Sequence, residues 1–157
     1  YTSTDIIGVQ LGGAMKNVIA IAAGIMHGLG LGENSISALI TRGIFELDKL
    51  GLLMGSKKNT LNGLSGIGDL VATCLSDDSR NRKAGIMIAE GKTLKYITEN
   101  MNIKAEGINT SKSVHQLSKK YDIKLPICEG VYNILYKNIK PSNIISELME
   151  RDLRKEF

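Results

Sequence analysis

Apolar residues recur at helical spacing along most of the chain. Ser3-Thr4-Asp5 offers an N-cap, and an apolar-rich stretch follows it to about Gly30. The first part of that stretch, Ile6 to Leu11, also fits a short strand. Ile36, Leu39, Ile40, Ile44, Leu47 and Leu50 then fall on one face of an amphipathic helix, with Asn34 or Ser35 as its cap and Gly51 as its stop. Met54 to about Gly66 reads as a loop, and Ile67 to Leu75 as a short helix behind three glycines. Asp77-Asp78-Ser79 breaks that helix and caps another, from Arg80 to Ala89. Further helices are predicted from Thr93 to Met101 and from Thr110 to Tyr121. Pro126 and Pro141 suit the first turns of two more, with Ile127, Val131, Ile134 and Leu135 inward on one and Ile144, Ile145, Leu148 and Met149 inward on the other. The pattern predicts seven or eight helices, no βαβ unit and no repeat, so an all-α single domain over residues 1–157 is expected.

Composition narrows this. The 157 residues suffice for one domain with a real core. Aromatic residues make up only 4%, with no Trp and 2 Phe, so that core must be built from aliphatic side chains. The 20 Lys and Arg against 16 Asp and Glu give a net charge of +4, without a long basic block. This balance allows an anionic ligand without demanding one. Two cysteines, Cys74 and Cys128, form no disulfide framework and no metal-ligand spacing, and a cytoplasmic setting is the expectation. The most apolar run, Val18 to Met26, is shorter than the roughly 20 residues of a membrane span, so none is expected. The chain begins at Tyr1, which reads as a piece of a longer protein.

Two nucleotide-binding motifs fail on register. Gly91-Lys92-Thr93 resembles the end of a phosphate-binding loop, but that motif's first glycine would fall at Ile86, and Gly85 is out of step. A G-x-G-x-x-G fingerprint would need glycine at Val71 after Gly66-Ile67-Gly68, or at Glu33 after Gly28-Leu29-Gly30. No nucleotide-phosphate loop is therefore expected within the chain. His27 at a helix end and His115 on a polar helix read as ordinary, the latter solvated, and Cys74 and Cys128 as small core residues.

Three segments resist so plain a reading. In Leu11-Gly12-Gly13-Ala14-Met15-Lys16-Asn17, small residues admit a close neighbour just before a Lys-Asn pair. A lysine partly withdrawn from water there is a usable proton donor or acceptor, although on the residues alone a solvated lysine at a helix edge is the commoner case. Asp69 and Thr73 share a helix face at i and i+4, where a carboxylate and a hydroxyl can orient a lysine and a substrate hydroxyl. An Asp interacting with the helix dipole and a core-facing Thr is the alternative. Ser79-Arg80-Asn81-Arg82-Lys83 joins a serine cap to clustered arginine at a helix start, an arrangement suited to phosphate, though ordinary capped helix starts look the same.

In order, these segments resemble the C-terminal, substrate-binding domain of bacterial NAD(P)-dependent glycerol-3-phosphate dehydrogenases. The matching stretches are 11–24, Thr-Arg-Gly at 41–43, Gly-Leu-Ser-Gly-Ile-Gly-Asp-Leu-Val-Ala-Thr-Cys at 63–74, Ser-Arg-Asn-Arg at 79–82, Glu-Gly at 106–107 and Leu-Pro-Ile-Cys-Glu-Gly-Val-Tyr at 125–132. Each is common alone, but the ordered set is specific and spans essentially the whole chain. The resemblance implies a multi-helix domain of the 6-phosphogluconate dehydrogenase C-terminal-like type, preceded by an N-terminal Rossmann domain that this chain lacks. It implies interconversion of dihydroxyacetone phosphate and sn-glycerol 3-phosphate with NAD or NADP as hydride carrier, feeding glycerophospholipid synthesis. Lys16 matches the catalytic lysine. Lys16, Asn17, Asp69, Thr73, Ser79, Arg80 and Asn81 match substrate-binding positions, and Arg80, Lys104 and Glu106 match cofactor-contacting ones. Two positions depart from the family pattern: Met15 replaces a common leucine, and Lys104 stands where an apolar residue is usual. No metal is implied, a homodimer is left open, and this chain by itself is expected to be inactive.

Two other readings compete. The chain could be the helical domain of a different two-domain Lys-Asn dehydrogenase, although Ser79-Arg80-Asn81 favours a phosphorylated substrate. A basic helical nucleic-acid module is supported by a pI near 9.0 and by the Arg80 to Lys83 cluster. Scattered positive charge and scarce aromatic residues oppose it, and no nucleic-acid partner is expected.

Overall fold

The computed structural model describes residues 1–101 and 104–150. Among them eight α-helices are assigned: α1 (Ile6–Gly28), α2 (Glu33–Met54), α3 (Asp69–Leu75), α4 (Arg80–Ala89), α5 (Leu94–Asn100), α6 (Glu106–Lys120), α7 (Pro126–Lys137) and α8 (Pro141–Met149). A 3₁₀ turn at Thr60–Asn62 and a π-helical turn at Leu64–Gly68 lie between α2 and α3. The all-α expectation holds, and Ile6 to Leu11 is helix rather than strand.

Helix α1 is the axis. Its stretch from Val18 to Ile25 is buried on every side, and it packs against α2, α3, α4, α6 and α7. A helix apolar all round belongs in a core or a bilayer. By length and composition α1 could span a bilayer, contrary to the expectation drawn from its shorter run, yet most of its apolar window is already buried inside the protein. The core is aliphatic, as composition predicts, with Met15, Ile19, Ile21, Leu47, Leu50 and Leu70 almost fully enclosed.

Small residues bring α4 onto α1. A Cβ on Gly24 would fall on the Arg82 carbonyl oxygen, and one on Gly85 would fall on the Ile21 carbonyl oxygen. Backbone thus meets backbone, and the N-terminal end of α4 is pressed close to α1. The Gly91-Lys92-Thr93 motif is the turn between α4 and α5, with Gly91 at φ 84° and the Thr93 hydroxyl accepting from the Tyr96 N–H.

Helix boundaries depart from the sequence reading at both ends of α2, in the segment 54–66 and at the start of α6. Helix α2 starts at Glu33 after Gly32, without a cap from Asn34 or Ser35. It runs through Gly51, which is buried against Leu61 and Ser56, and stops where Gly55 adopts φ 95°, a left-handed conformation open to glycine. The segment 54–66 is not simply a loop, because it carries the 3₁₀ turn and most of the π turn. Helix α6 begins at Glu106, not Thr110, and buries Gly107 and Ile108 in its first turn.

Candidate functional site

Lys16 lies on α1 where the helix passes from partly exposed to fully buried. Its Nζ donates to Asp69 Oδ1 at 2.5 Å, with side-chain exposures of 21% and 38%. The pair is thus sheltered but reachable. Asp69 is the first residue of α3, and the π turn directly before it sets its direction. Such turns add a residue to the helical register and often occur at functional sites. The Thr73 hydroxyl donates to the Asp69 main-chain oxygen at 2.6 Å and lies 3.4 Å from Asp69 Oδ1. The expected i, i+4 face is real.

The next residue, Asn17, enters a second, buried set. The Asn81 Nδ2 donates to Asn17 Oδ1 at 2.9 Å, the Asn17 Nδ2 donates to the Gly13 carbonyl at 3.2 Å, and the Gly107 N–H donates to Asn81 Oδ1 at 2.9 Å. Asn17 and Asn81 are 9% and 8% exposed. Adjacent residues of one helix therefore anchor an ion pair with α3 and an amide chain reaching α4 and α6.

Ser79 is the N-cap of α4, its Oγ accepting from the Arg82 N–H at 3.2 Å. Arg80 follows as an exposed side chain. Lys104 and Glu106 are both exposed at the start of α6. The Asn81–Gly107 bond brings the N-terminal ends of α4 and α6 together, so Arg80 and Glu106 belong to neighbouring helix starts.

Three participants escape a sequence reading. Arg82 is buried, with its Nη1 on Asp77 Oδ1 at 2.7 Å, which ties the loop before α4 to the helix. Gly107 supplies the amide that holds Asn81; the sequence offers it only as part of the Glu-Gly pair at 106–107, ahead of the helix start expected at Thr110. Glu46 is 4% exposed, and its carboxylate accepts the Ile127 and Cys128 N–H groups at 2.7 and 3.1 Å, fixing the start of α7 to α2. An acidic residue inside the inward stripe of α2 is a visible signal for this last contact.

Cys74, Cys128 and His115 are packed into the helices rather than into the site. Burial pushes the Cys74 thiol up to about 12 and the Cys128 thiol higher than usual, so neither is a thiolate nucleophile at neutral pH. His115 is not solvated as expected. It stacks on Tyr132 with ring centroids 3.8 Å apart, and burial holds its pKa below the usual value, helped by the Lys119 charge.

Toward the N-terminal end of α1 the surface becomes apolar. Ile6, Val9, Leu64 and Ile67 are exposed there. A groove of about 860 Å³ runs between α1 and the π turn, lined by Ile6, Val9, Gln10, Thr60, Leu64 and Ser65 among others. Ile6, Val9, Gly13 and Lys16 follow one another at helical spacing, so this surface leads to the ion pair.

A family described as NAD-dependent glycerol-3-phosphate dehydrogenase C-terminus matches residues 5–146. The glycerol-3-phosphate dehydrogenase [NAD(P)+] of Desulfovibrio desulfuricans is 48% identical over 99% of this chain and 47% of its own length. That of Fusobacterium nucleatum is 49% identical over 100% of the chain and 47% of its own length. Among solved structures, the glycerol-3-phosphate dehydrogenase of Coxiella burnetii superposes with a TM-score of 0.93 at 42% identity, over 96% of this chain and 46% of that one. The yeast glycerol-3-phosphate dehydrogenase superposes with a TM-score of 0.82 at 31% identity, over 94% of this chain and 43% of that one. The chain spans about half the length of the curated relatives it matches.

Proposed function

The chain belongs to the NAD-dependent glycerol-3-phosphate dehydrogenase C-terminus family, and from that premise we propose that it is the substrate-binding half of an enzyme interconverting dihydroxyacetone phosphate and sn-glycerol 3-phosphate. The observation that carries this reading is the sheltered Lys16–Asp69 ion pair, set one residue from the Asn17–Asn81 amide pair.

Reduction of a ketone builds negative charge on its oxygen. In this reading the Lys16 ammonium faces that oxygen, stabilises the charge and delivers a proton from Nζ. In the reverse direction the lysine takes the proton back. A positioned general acid of this kind contributes roughly 10²–10⁴-fold. Asp69 keeps Nζ in place, with the Thr73 hydroxyl beside its carboxylate, so the ammonium needs little reorganisation during the reaction. Arg80, Asn81 and the capped start of α4 bind the substrate phosphate. Binding energy spent there orients the reacting carbon against Lys16.

The chain's residues fit one edge of a dinucleotide and no more. Exposed Arg80 suits a phosphate oxygen, and exposed Glu106 can accept from hydroxyl or amide groups. Among the described residues no phosphate-binding glycine loop accompanies them. NAD or NADP, when bound, supplies or accepts the hydride. An N-terminal Rossmann domain would hold most of it, covering Ile6, Val9, Leu64 and Ile67 and excluding water from the ion pair. Phe45, Leu52 and Leu53, exposed on α2, would be covered in a homodimer. The setting that fits this reading is cytoplasmic, and the product would feed glycerophospholipid synthesis.

The test is turnover of dihydroxyacetone phosphate by the full-length protein carrying this chain, with NADH and with NADPH. Equal or better turnover of unphosphorylated keto acids would replace this reading with that of a different Lys-Asn dehydrogenase.

A further inference from the structure

We propose that Gly107 is a positioning residue of this site: its main-chain N–H fixes the direction in which the Asn81 and Asn17 side-chain amides face, so that the pair offers N–H donors to the bound substrate. The proposal rests on the reading above, in which Asn81 binds the substrate phosphate, and it adds Asn17, the amide partner of Asn81, to that contact.

An asparagine amide carries an acceptor and a donor on nearly the same outline, and its partners decide which points where. Here both ends of the chain of amides are fixed by backbone groups that cannot reverse. The Gly107 N–H can only donate, and it meets Asn81 Oδ1 at 2.9 Å. That turns Asn81 Nδ2 toward Asn17 Oδ1, also at 2.9 Å. Asn17 Nδ2 is then turned toward the Gly13 carbonyl, which can only accept, at 3.2 Å. The two ends independently demand the same direction. Reversing either amide would set oxygen against oxygen and N–H against N–H at buried positions, where unmatched polar groups are costly.

Each NH₂ group spends one hydrogen within the relay and keeps a second. Phosphate, carbonyl and alkoxide oxygens are acceptors, so this direction suits them, whereas a reversed pair would present carbonyl oxygens to an anion. Gly107 is also suited to the task by its place in α6. Ala105, at the N-cap position, has no side-chain bond to give. The free N–H of Gly107 is therefore satisfied from another helix, and it brings the positive end of the α6 dipole to Asn81. A Cβ at position 107 would lie 2.5 Å from the Asn17 main-chain oxygen and 2.8 Å from Asn81 Oδ1. No side chain fits there without displacing the relay.

The experiment compares Gly107→Ala with the parent in the full-length enzyme, reading KM for dihydroxyacetone phosphate, kcat, cofactor KM and thermal midpoint. The expected result is a KM for dihydroxyacetone phosphate raised about 10-fold, the scale of one misplaced charge-assisted hydrogen bond, with kcat and cofactor KM little changed. A lowered midpoint with unchanged substrate KM would make Gly107 merely structural and overturn the proposal. If Gly107→Ala does not fold, Asn17→Ala, Asn81→Ala and the double variant decide. Relayed amides predict a double variant little worse on substrate KM than the worse single one, whereas multiplying effects would mean two independent contacts and overturn the proposal. A parent enzyme that does not turn over dihydroxyacetone phosphate would instead remove the underlying functional reading.

Discussion

Lys16 Nζ and Asp69 Oδ1 sit 2.5 Å apart although 53 residues separate them along the chain. The carboxylate reaches the lysine because the π turn at 64–68 delivers the start of α3 onto α1. Replacing Asp69 with Asn keeps the shape and removes the charge that holds Nζ. The expected outcome is a kcat about 10- to 100-fold lower in the full-length enzyme, the scale of a misplaced acid group, with substrate KM changed far less. An unchanged kcat would show that Lys16 does not depend on this partner.

Lys16→Ala should cost more. It removes the proposed proton donor itself, so a loss of at least about 10²-fold in kcat is expected. Lys16 is partly exposed, so the fold should survive, which circular dichroism can confirm. Near-normal turnover in a folded variant would end the role assigned to Lys16.

What the sequence revealed and what it hid divide along physical lines. Helices α1, α4, α7 and α8 were legible because their signals are local: Asp5 and Ser79 as caps, Pro126 and Pro141 in first turns, aliphatic residues at helical spacing. The inward face of α8 is narrower than expected, with Ile144 buried but Met149 exposed at the end of the helix. The end of α2 was misread because Gly51 and Gly55 offer the same local stop. Only tertiary packing decides between them, since Gly51 is buried against Leu61 while Gly55 adopts positive φ. The start of α6 was misread because its satisfying group is Asn81, distant in sequence. Among candidate site residues, Lys16, Asp69 and Thr73 were visible as types at suitable spacing. The turning inward of Asn17 and Asn81 was not, because their bonds run between helices.

The α1–α4 contact predicts a stability effect with a functional consequence. In Gly85→Ala the added methyl would fall on the Ile21 carbonyl oxygen, backbone that cannot move aside. Overpacking of this kind costs about 1–3 kcal/mol, and relief requires α4 to back away, carrying Arg80 and Asn81 with it. A lower urea midpoint and weaker substrate binding should therefore appear together. A Gly85→Ala protein with parental stability would mean that the two helices are not in backbone contact.

Glu46 predicts a second loss, away from the site. Its two carboxylate oxygens accept the Ile127 and Cys128 N–H groups. In Glu46→Gln one oxygen becomes an NH₂ group facing a donor. One buried N–H then lacks an acceptor, at a cost of about 1–3 kcal/mol. The denaturant midpoint should fall while turnover persists, because α7 holds none of the proposed catalytic groups. If turnover fell as steeply as stability, α7 would have to be coupled to Lys16.

Asp5 gives the chain an acid limit. The Thr60 hydroxyl, the Gly8 and Lys57 amides and the Ser56 hydroxyl hold its carboxyl well below the usual carboxylate range, against the opposing effect of burial. These groups bind the charged form, so the folded state releases the Asp5 proton more readily than the unfolded chain does. The resulting stabilisation is complete above the unfolded value, near 3.9. It declines as pH falls from there toward the lowered folded value, because the unfolded state then binds more protons than the folded one. Asp5 also caps α1 and ties it to the segment at Ser56 and Lys57, so its protonation should loosen the entry to α3 before the rest of the core. Urea midpoints measured from pH 6 to pH 2 should drop less steeply in Asp5→Asn, which starts lower but lacks this titration. Parallel curves for the parent and Asp5→Asn would show that Asp5 contributes no pH-dependent stability.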